Sequence, residues 1–103
     1  MLLPLDGPSA QNSLSVTTAT VVEAKAGATA YDDRKALTIQ PLTDDIYIYF
    51  ADETGAAPSV ANMQAKGLMH YSTCKDTYEA STNQKVFILA VNATTNVIIV
   101  ERG

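Results

Sequence analysis

Apolar and polar residues alternate along several short stretches of this chain, which is the pattern expected of β-strands. The stretch 35–50 reads KALTIQPLTDDIYIYF, in which two runs rich in β-branched and aromatic residues flank a polar turn at 43–45. Runs of this kind, bounded by turn-forming residues, predict a β-hairpin. The two strongest runs, 85–91 and 96–101, lie on either side of the turn 92–95. They predict a second antiparallel hairpin at the end of the sequence.

These elements predict one all-β domain preceded by an arm. The chain has 103 residues, which is near the size of a single domain. Residues 1–13 contain two prolines and one glycine and show no period, so we predict an extended N-terminal arm there. The first strand is predicted at 14–22. Residues 14–103 are predicted to form a small antiparallel β-sandwich or a jelly-roll-like barrel.

The last two strands are apolar on both faces. Because side chains alternate between faces along a strand, 86–91 and 97–100 each present apolar residues on both sides. A sandwich has one inner face per sheet, so the second face needs a cover. The arm could supply it, as could a short helix predicted over 60–66 between Ser59 and Gly67. The favoured cover is a neighbouring subunit, which predicts a homo-oligomer.

The side chains expected to contact a partner are apolar or aromatic and lie on the arm, on the strand 46–50 and on the last two strands. They are Leu2, Leu3, Leu5, Tyr47, Tyr49, Phe87, Leu89, Ile98 and Val100. Tyrosines have an apolar ring and a polar hydroxyl, so an exposed stripe of them also suits a carbohydrate or protein ligand.

Charge and cysteine content narrow the range of partners. Seven basic and eleven acidic residues give a net charge of −4, and the sequence has no cluster of Lys or Arg. We therefore expect neither a nucleic-acid nor a membrane partner. The apolar start of the chain is too short for a membrane span. A single cysteine, Cys74, excludes an internal disulfide, and assembly in the cytoplasm is the simpler expectation.

The sequence offers little chemistry for catalysis. His70 and Cys74 are the one candidate pair of base and nucleophile, but four residues of strand span about 13 Å, which would keep their side chains apart. Structural zinc typically needs four ligands, which this pair does not provide. The pairs Asp32–Asp33 and Asp44–Asp45 fall in predicted turns, where aspartate accepts backbone hydrogen bonds. We expect no enzymatic activity, metal or cofactor, and a buried or half-buried Cys74.

Three segments carry a resemblance to a known group of proteins. They are RKALTIQ at 34–40, IYIYF at 46–50 and VIIVER at 97–102. The order of these segments resembles the small virion β-sandwich modules of tailed bacteriophages. In that group an Arg precedes a "(L/V)-x-(I/V)-(Q/T)-N" strand, and an "(I/V)-Y-(I/V)" strand and a closing "V-x-V-x-E" strand follow. Here Pro41 stands in place of the usual Asn, and the middle loop is longer.

The resemblance implies an all-β module without enzymatic activity that binds a larger assembly, often as a trimer. The implied partners are capsid or other virion proteins, and the implied location is the virion, assembled in the host cytoplasm. A capsid decoration or cement protein is the favoured expectation. The alternative is a tail or head fibre module that binds a host-surface glycan or another virion protein.

Overall fold

The computed structural model describes residues 9–52 and 54–103, which form eight strands and one short helix. The elements in chain order are β1 Ser9–Val16, β2 Val22–Glu23, β3 Ala36–Pro41, β4 Ile46–Phe50, α1 Val60–Lys66, β5 Leu68–His70, β6 Asp76–Tyr78, β7 Val86–Ala90 and β8 Thr95–Arg102.

The strands form two antiparallel sheets that pack face to face. The first, here named the β1 sheet, has the order β1-β8-β3-β6, and the second, the β2 sheet, has the order β2-β7-β4-β5. The first strand thus pairs with the last, the second with the seventh, the third with the sixth and the fourth with the fifth. This is the order of an eight-stranded jelly roll. The predicted all-β fold is confirmed.

Both predicted hairpins are wrong, although their strands exist. β3 and β4 belong to different sheets, and so do β7 and β8. Each connection is an arch that carries the chain from one sheet to the other. A hairpin and an arch place the same apolar residues against the core, so the alternating pattern does not distinguish them.

Hydrogen bonds tie the two arches to each other. The backbone N–H of Thr43 donates to the hydroxyl of Thr95 over 3.1 Å. The carboxylate of Asp44 accepts the backbone N–H groups of Asn92 and Ala93, each over 2.7 Å. These bonds satisfy backbone groups that a hairpin would have paired within one sheet.

The main core lies between the sheets and consists of the inward-facing branched side chains of five strands. Its largest buried members are Val16, Leu37, Ile39, Ile46, Ile48, Val86, Ile88, Val97 and Ile99. Burial of such side chains contributes about 1.5–3 kcal/mol each relative to exposure.

The predicted boundary of the arm is corrected by β1, which starts at Ser9 and pairs with β8 as far as Arg102. Residues 9–13 therefore belong to the domain. They read SAQNS and are mostly exposed, because β1 is an edge strand with one face toward solvent. The predicted strand at 14–22 divides between the end of β1 and the short β2.

The helix is confirmed at its predicted bounds. The hydroxyl of Ser59 accepts the N–H of Asn62 over 3.1 Å, as an N-cap residue does. Gly67 ends the helix with its N–H bonded to the carbonyl of Met63. Its backbone is extended rather than left-handed, and a Cβ there would lie 2.5 Å from the Met63 oxygen. Glycine is required at this position by close approach.

Sequence reasoning missed a buried ion pair between Arg34 and Glu101. Their side chains are fully buried, with 2.8 Å between Nη1 of Arg34 and Oε2 of Glu101. The guanidinium also donates to the carbonyls of Ala80, Ser81 and Gln84. These partners satisfy the charge that burial would otherwise make costly.

Candidate interaction surface

The outer face of the β2 sheet is covered by the chain itself. A second cluster of buried residues contains Met63 of α1 and the β7 residues Phe87 and Leu89, with Val60 packed against them. The expectation that a neighbouring subunit covers this strand is therefore corrected. A helix of seven residues is sufficient, because a narrow sheet presents only a small apolar face.

This cover changes the status of four predicted partner contacts. Phe87 and Leu89 are buried beneath the helix and do not reach the surface. Tyr47 and Tyr49 are half-buried and pack against the same cluster. The β4 tyrosines therefore form no exposed stripe.

The outer face of the β1 sheet has no second layer among residues 9–52 and 54–103. Ile98 and Val100 are half-buried on it. Their cross-strand neighbours are polar, since Ile98 lies opposite Ser13 and Gln40, and Val100 lies opposite Gln11. This face is a mostly polar surface with a narrow apolar stripe, and of the predicted contact residues that the structure describes only these two remain on an open face.

Four of the five large apolar side chains that are exposed among the described residues lie on β5, just after it, or at the end of its partner strand β4, and we name them the apolar rim. It consists of Phe50, Leu68, Met69 and Tyr71, of which Leu68 is 60% and Tyr71 64% exposed. β5 is hydrogen-bonded only to β4, so its other side is an unpaired strand edge within the described part of the chain. An edge strand with apolar side chains is a ready site for pairing with another chain.

The turn that follows β5 holds the rim in place. The N–H of Ser72 donates to the carboxylate of Asp45 over 2.8 Å, and the N–H of Thr73 donates to the carbonyl of Pro41 over 2.7 Å. Thr73 has a φ of 65°, which is unfavourable for a β-branched residue. The two bonds fix the turn that presents Tyr71 to solvent.

His70 has a structural environment rather than a catalytic one. It is buried, with Nε2 donating to the carbonyl of Cys74 over 2.8 Å and Nδ1 3.1 Å from the hydroxyl of Tyr78. Burial, with a smaller effect of the Asp76 charge, raises the pKa of Tyr78. The expectation of a buried Cys74 was wrong, because that residue is exposed. His70 contacts its backbone and not its thiol.

Of the two predicted pairs, Asp44 and Asp45 accept backbone hydrogen bonds in turns, as their positions predicted. Asp44 joins the two arches and Asp45 anchors the turn after β5. Hydrogen bonds from the N–H groups of Ala93 and Asn92 hold the pKa of Asp44 below its ordinary value. Among residues 9–52 and 54–103, no group of three or more His, Cys, Asp or Glu side chains is placed to hold a metal ion.

A surface depression beside the ion pair is also occupied by internal contacts. It is lined by Tyr31, Asp32 and Thr82 and reaches the carboxylate of Glu101. That carboxylate already accepts the N–H groups of Ala26 and Tyr31 and the guanidinium of Arg34. The Glu101 oxygens therefore fix the loop 24–31 and are not available to a ligand.

No family model, curated protein or solved structure was found to match this chain. In the part of the chain that the structure describes, no helix has both the length and the apolar character needed to cross a membrane. Leu2, Leu3 and Leu5 lie outside the described residues. The apolar rim, which the sequence did not indicate, is the strongest candidate interaction surface.

Proposed function

We propose that this chain is a non-enzymatic structural protein of a phage virion, and specifically a capsid decoration or cement protein. The observation that carries the proposal is the apolar rim, in which Leu68 and Met69 of the unpaired edge strand β5 are exposed together with Phe50 at the end of β4 and Tyr71 just after β5. Exposed apolar groups of this kind mark sites of association with another protein. The sequence resemblance to tailed-phage virion modules supplies the kind of assembly.

The hydrogen bonding of the buried polar side chains also supports a structural role for the protein. Within the described residues, no buried side-chain nitrogen or oxygen lacks a hydrogen-bond partner. The one histidine is held between Tyr78 and a backbone carbonyl, and the buried arginine is bound to Glu101 and three carbonyls. Each of these groups stabilises the fold through internal hydrogen bonds, and the rim remains the candidate surface for binding.

The proposed mechanism is passive. Each copy buries apolar surface against neighbouring subunits and adds a contact across a junction of the shell. A protein that binds only the assembled state stabilises it by mass action, and many equivalent contacts act together.

The alternative of a glycan-binding fibre module is less favoured by the geometry. It depended on glycan recognition through Tyr47, Tyr49 or Tyr71, and the stripe predicted for Tyr47 and Tyr49 is half-buried, so that only Tyr71 is exposed. The two β4 tyrosines pack beneath α1.

The test uses virions of the phage whose genome encodes the chain. Immunogold labelling and mass spectrometry should find many copies distributed over the outer shell. Virions that lack the protein should have shells that open at lower temperature, with recovery when purified protein is added. Labelling confined to the tail or to fibres would favour the alternative, and absence from the virion would overturn both.

A further inference from the structure

The apolar rim has the size and chemistry of a receptor for one short extended segment. Its backbone edge is the three-residue strand Leu68–His70, open on one side. Leu68 and Met69 are adjacent, so they point to opposite faces of the edge, and both are exposed. A segment that pairs with this edge therefore needs apolar side chains on both of its faces.

The residues that precede β1 match this requirement. The sequence 1–8 reads MLLPLDGP, with Leu3 and Leu5 on one face and Leu2 on the other when extended. We propose that residues 2–5 of a second copy of this chain pair with the rim, so that neighbouring copies are joined by exchanged arms. The inference deepens the proposed function and rests on it for the role of this contact in a shell.

The position of Pro4 suits an edge strand. In an extended chain the N–H and C=O groups of successive residues point to alternate sides. If the backbone N–H and C=O groups of Leu3 and Leu5 face β5, the backbone of Pro4 faces solvent. The N–H that proline lacks is then not needed for pairing with β5. Proline occurs in sheets at such edge positions, since it loses no ladder bond there. It also blocks the addition of a further strand, so the exchanged arm ends the sheet.

Charge favours one direction of pairing. Residues 66–75 contain Lys66 and Lys75 and no carboxylate, in a chain whose net charge is −4. An antiparallel arm that places Leu5 beside Leu68 brings Asp6 toward Lys66, which is exposed. A parallel arm would carry Asp6 toward the turn after His70 instead, where Lys75 is followed by Asp76, whose carboxylate lies 3.9 Å from Nε2 of His70. The antiparallel arrangement therefore pairs the single charged side chain of residues 1–8 with a lysine and keeps it away from that carboxylate.

Reach favours a second copy over the chain's own arm. β1 and β6 are at opposite edges of the β1 sheet, and β6 lies beside β5, as the contact of His70 with Tyr78 shows. With strands about 4.8 Å apart and sheets about 10 Å apart, the direct line from β1 to β5 is about 17 Å and crosses the core. The four residue steps from Leu5 to Ser9 span about 14 Å when extended. In the register that places Leu5 beside Leu68, the chain's own arm therefore falls short of its own rim.

The first experiment measures the mass of the purified full chain by light scattering over a range of concentrations. The wild type should form an oligomer, and Leu3→Asp with Leu5→Asp should reduce it to a monomer. Met69→Glu should have the same effect from the receptor side. The matched control is Leu42→Glu, which changes another exposed apolar residue outside the rim and should leave the mass unchanged.

The second experiment identifies whose arm is bound. Cys74 is the single cysteine and is exposed in the turn beside the rim, so it can carry a nitroxide spin label. Chain that carries the nitroxide but no ¹⁵N is mixed with ¹⁵N-labelled Cys74→Ser chain, and the amide signals of Leu2, Leu3, Leu5 and Asp6 are recorded. Their broadening in the mixture, reversed by reduction of the nitroxide, is the expected result.

Three outcomes would overturn the exchange. They are a wild-type monomer at every concentration, an oligomer that survives both sets of substitutions, and broadening only when label and ¹⁵N share one chain. A monomer that still decorates shells would leave the proposed function standing. An oligomer with exchanged arms that is absent from virions would reject the proposed function and keep the contact.

Discussion

Two strands of the β2 sheet, β7 and β5, present apolar side chains on both faces but differ in how far these side chains are buried. The outer residues of β7 are buried beneath α1, and Leu89 is fully buried. Met69, on the outer face of β5, has no cover among the described residues, and Leu68, on the inner face at the same edge, is exposed as well. The difference arises because β7 is central and has α1 above it, whereas β5 is an edge strand that directly follows the helix. A two-sided apolar strand therefore indicates an interface only when no element of its own chain lies over it.

The largest expected effect comes from the buried ion pair, which binds the loop between β6 and β7. Arg34 binds Glu101 and the carbonyls of residues 80–84, which follow β6. Arg34→Met should destabilise the isolated chain by about 3–5 kcal/mol, because it leaves a buried carboxylate without its charge partner. Urea unfolding followed by tyrosine fluorescence measures the loss.

The double variant Arg34→Met with Glu101→Leu is the control for that mechanism. It removes both charges and should recover part of the stability, but not all, since the carbonyls of Ala80 and Ser81 and the N–H of Ala26 lose their partners. A loss below about 1 kcal/mol in the single variant would mean that the ion pair does not stabilise the fold in this way.

The second effect compares the two strands directly with the same substitution. Leu89→Ala should cost about 2–5 kcal/mol, as expected for a fully buried leucine. Leu68→Ala should change the stability of the monomer by no more than about 0.5 kcal/mol, because its side chain is mostly exposed. Both substitutions are made in the arm variant Leu3→Asp with Leu5→Asp, at a concentration where that variant is monomeric. The free energy of unfolding is then measured in urea.

The same pair should reverse in an association assay. Leu68→Ala should raise the dissociation constant of the oligomer, whereas Leu89→Ala should leave it unchanged under conditions where that variant is folded. If both substitutions changed the free energy of unfolding and neither changed the dissociation constant, the rim would be an exposed edge without a role in association.

How far the sequence predicted these regions depends on the range of the interactions involved. The helix at 60–66 was predicted together with its N-cap and its last residue. This was possible because Ser59 and Gly67 make their hydrogen bonds within one turn of the helix ends. The arches were mistaken for hairpins, because the choice of sheet is decided by strands far away in the chain. The pairing of β3 with β8 is an example that no local pattern contains.

The candidate surface was less predictable than the fold for the same reason. Phe87 and Leu89 were expected to meet a partner, and the sequence could not show that α1 folds over them. Leu68 and Met69 formed a short strand without an alternating pattern, and their exposure follows from the position of β5 at an edge. The buried pair of Arg34 and Glu101 joins residues whose sequence neighbours give no indication of contact.

A smaller effect concerns the cover that distinguishes β7 from β5. Ser59→Ala removes the side chain that caps α1 and should destabilise the helix by about 1 kcal/mol. Amides of α1 should then exchange with deuterium faster than in the wild type, while those in the β1 sheet keep their rates. Ser59→Asp, which restores an acceptor, is the matched control and should return slow exchange. Unchanged exchange in Ser59→Ala would show that packing of Met63 alone fixes the helix.

The smallest effect separates two neighbouring aspartates, one serving the arches and one serving the turn beside the rim. Asp44 has a pKa below its ordinary value of 3.8 because Ala93 and Asn92 donate to its carboxylate. The charged form is thus favoured by folding, so its stabilisation is complete above the unfolded pKa and is lost as pH falls through the folded pKa. Asp44→Asn should therefore lower stability by less than about 1 kcal/mol near neutral pH and reduce the loss seen in acid.

Asp45→Asn is the matched comparison, since this residue accepts the N–H of Ser72 and anchors the turn that carries Tyr71. It should weaken association more than stability, because a looser turn leaves the rim less well ordered for a partner. Asp44→Asn should do the reverse. Urea unfolding between pH 2 and 7 and light scattering at pH 7 give both quantities for both variants. If the two substitutions weakened association equally, the rim would not depend on the turn that Asp45 anchors. The contrast between β7, which is covered by its own chain, and β5, which is proposed to bind a partner, would then lose this support.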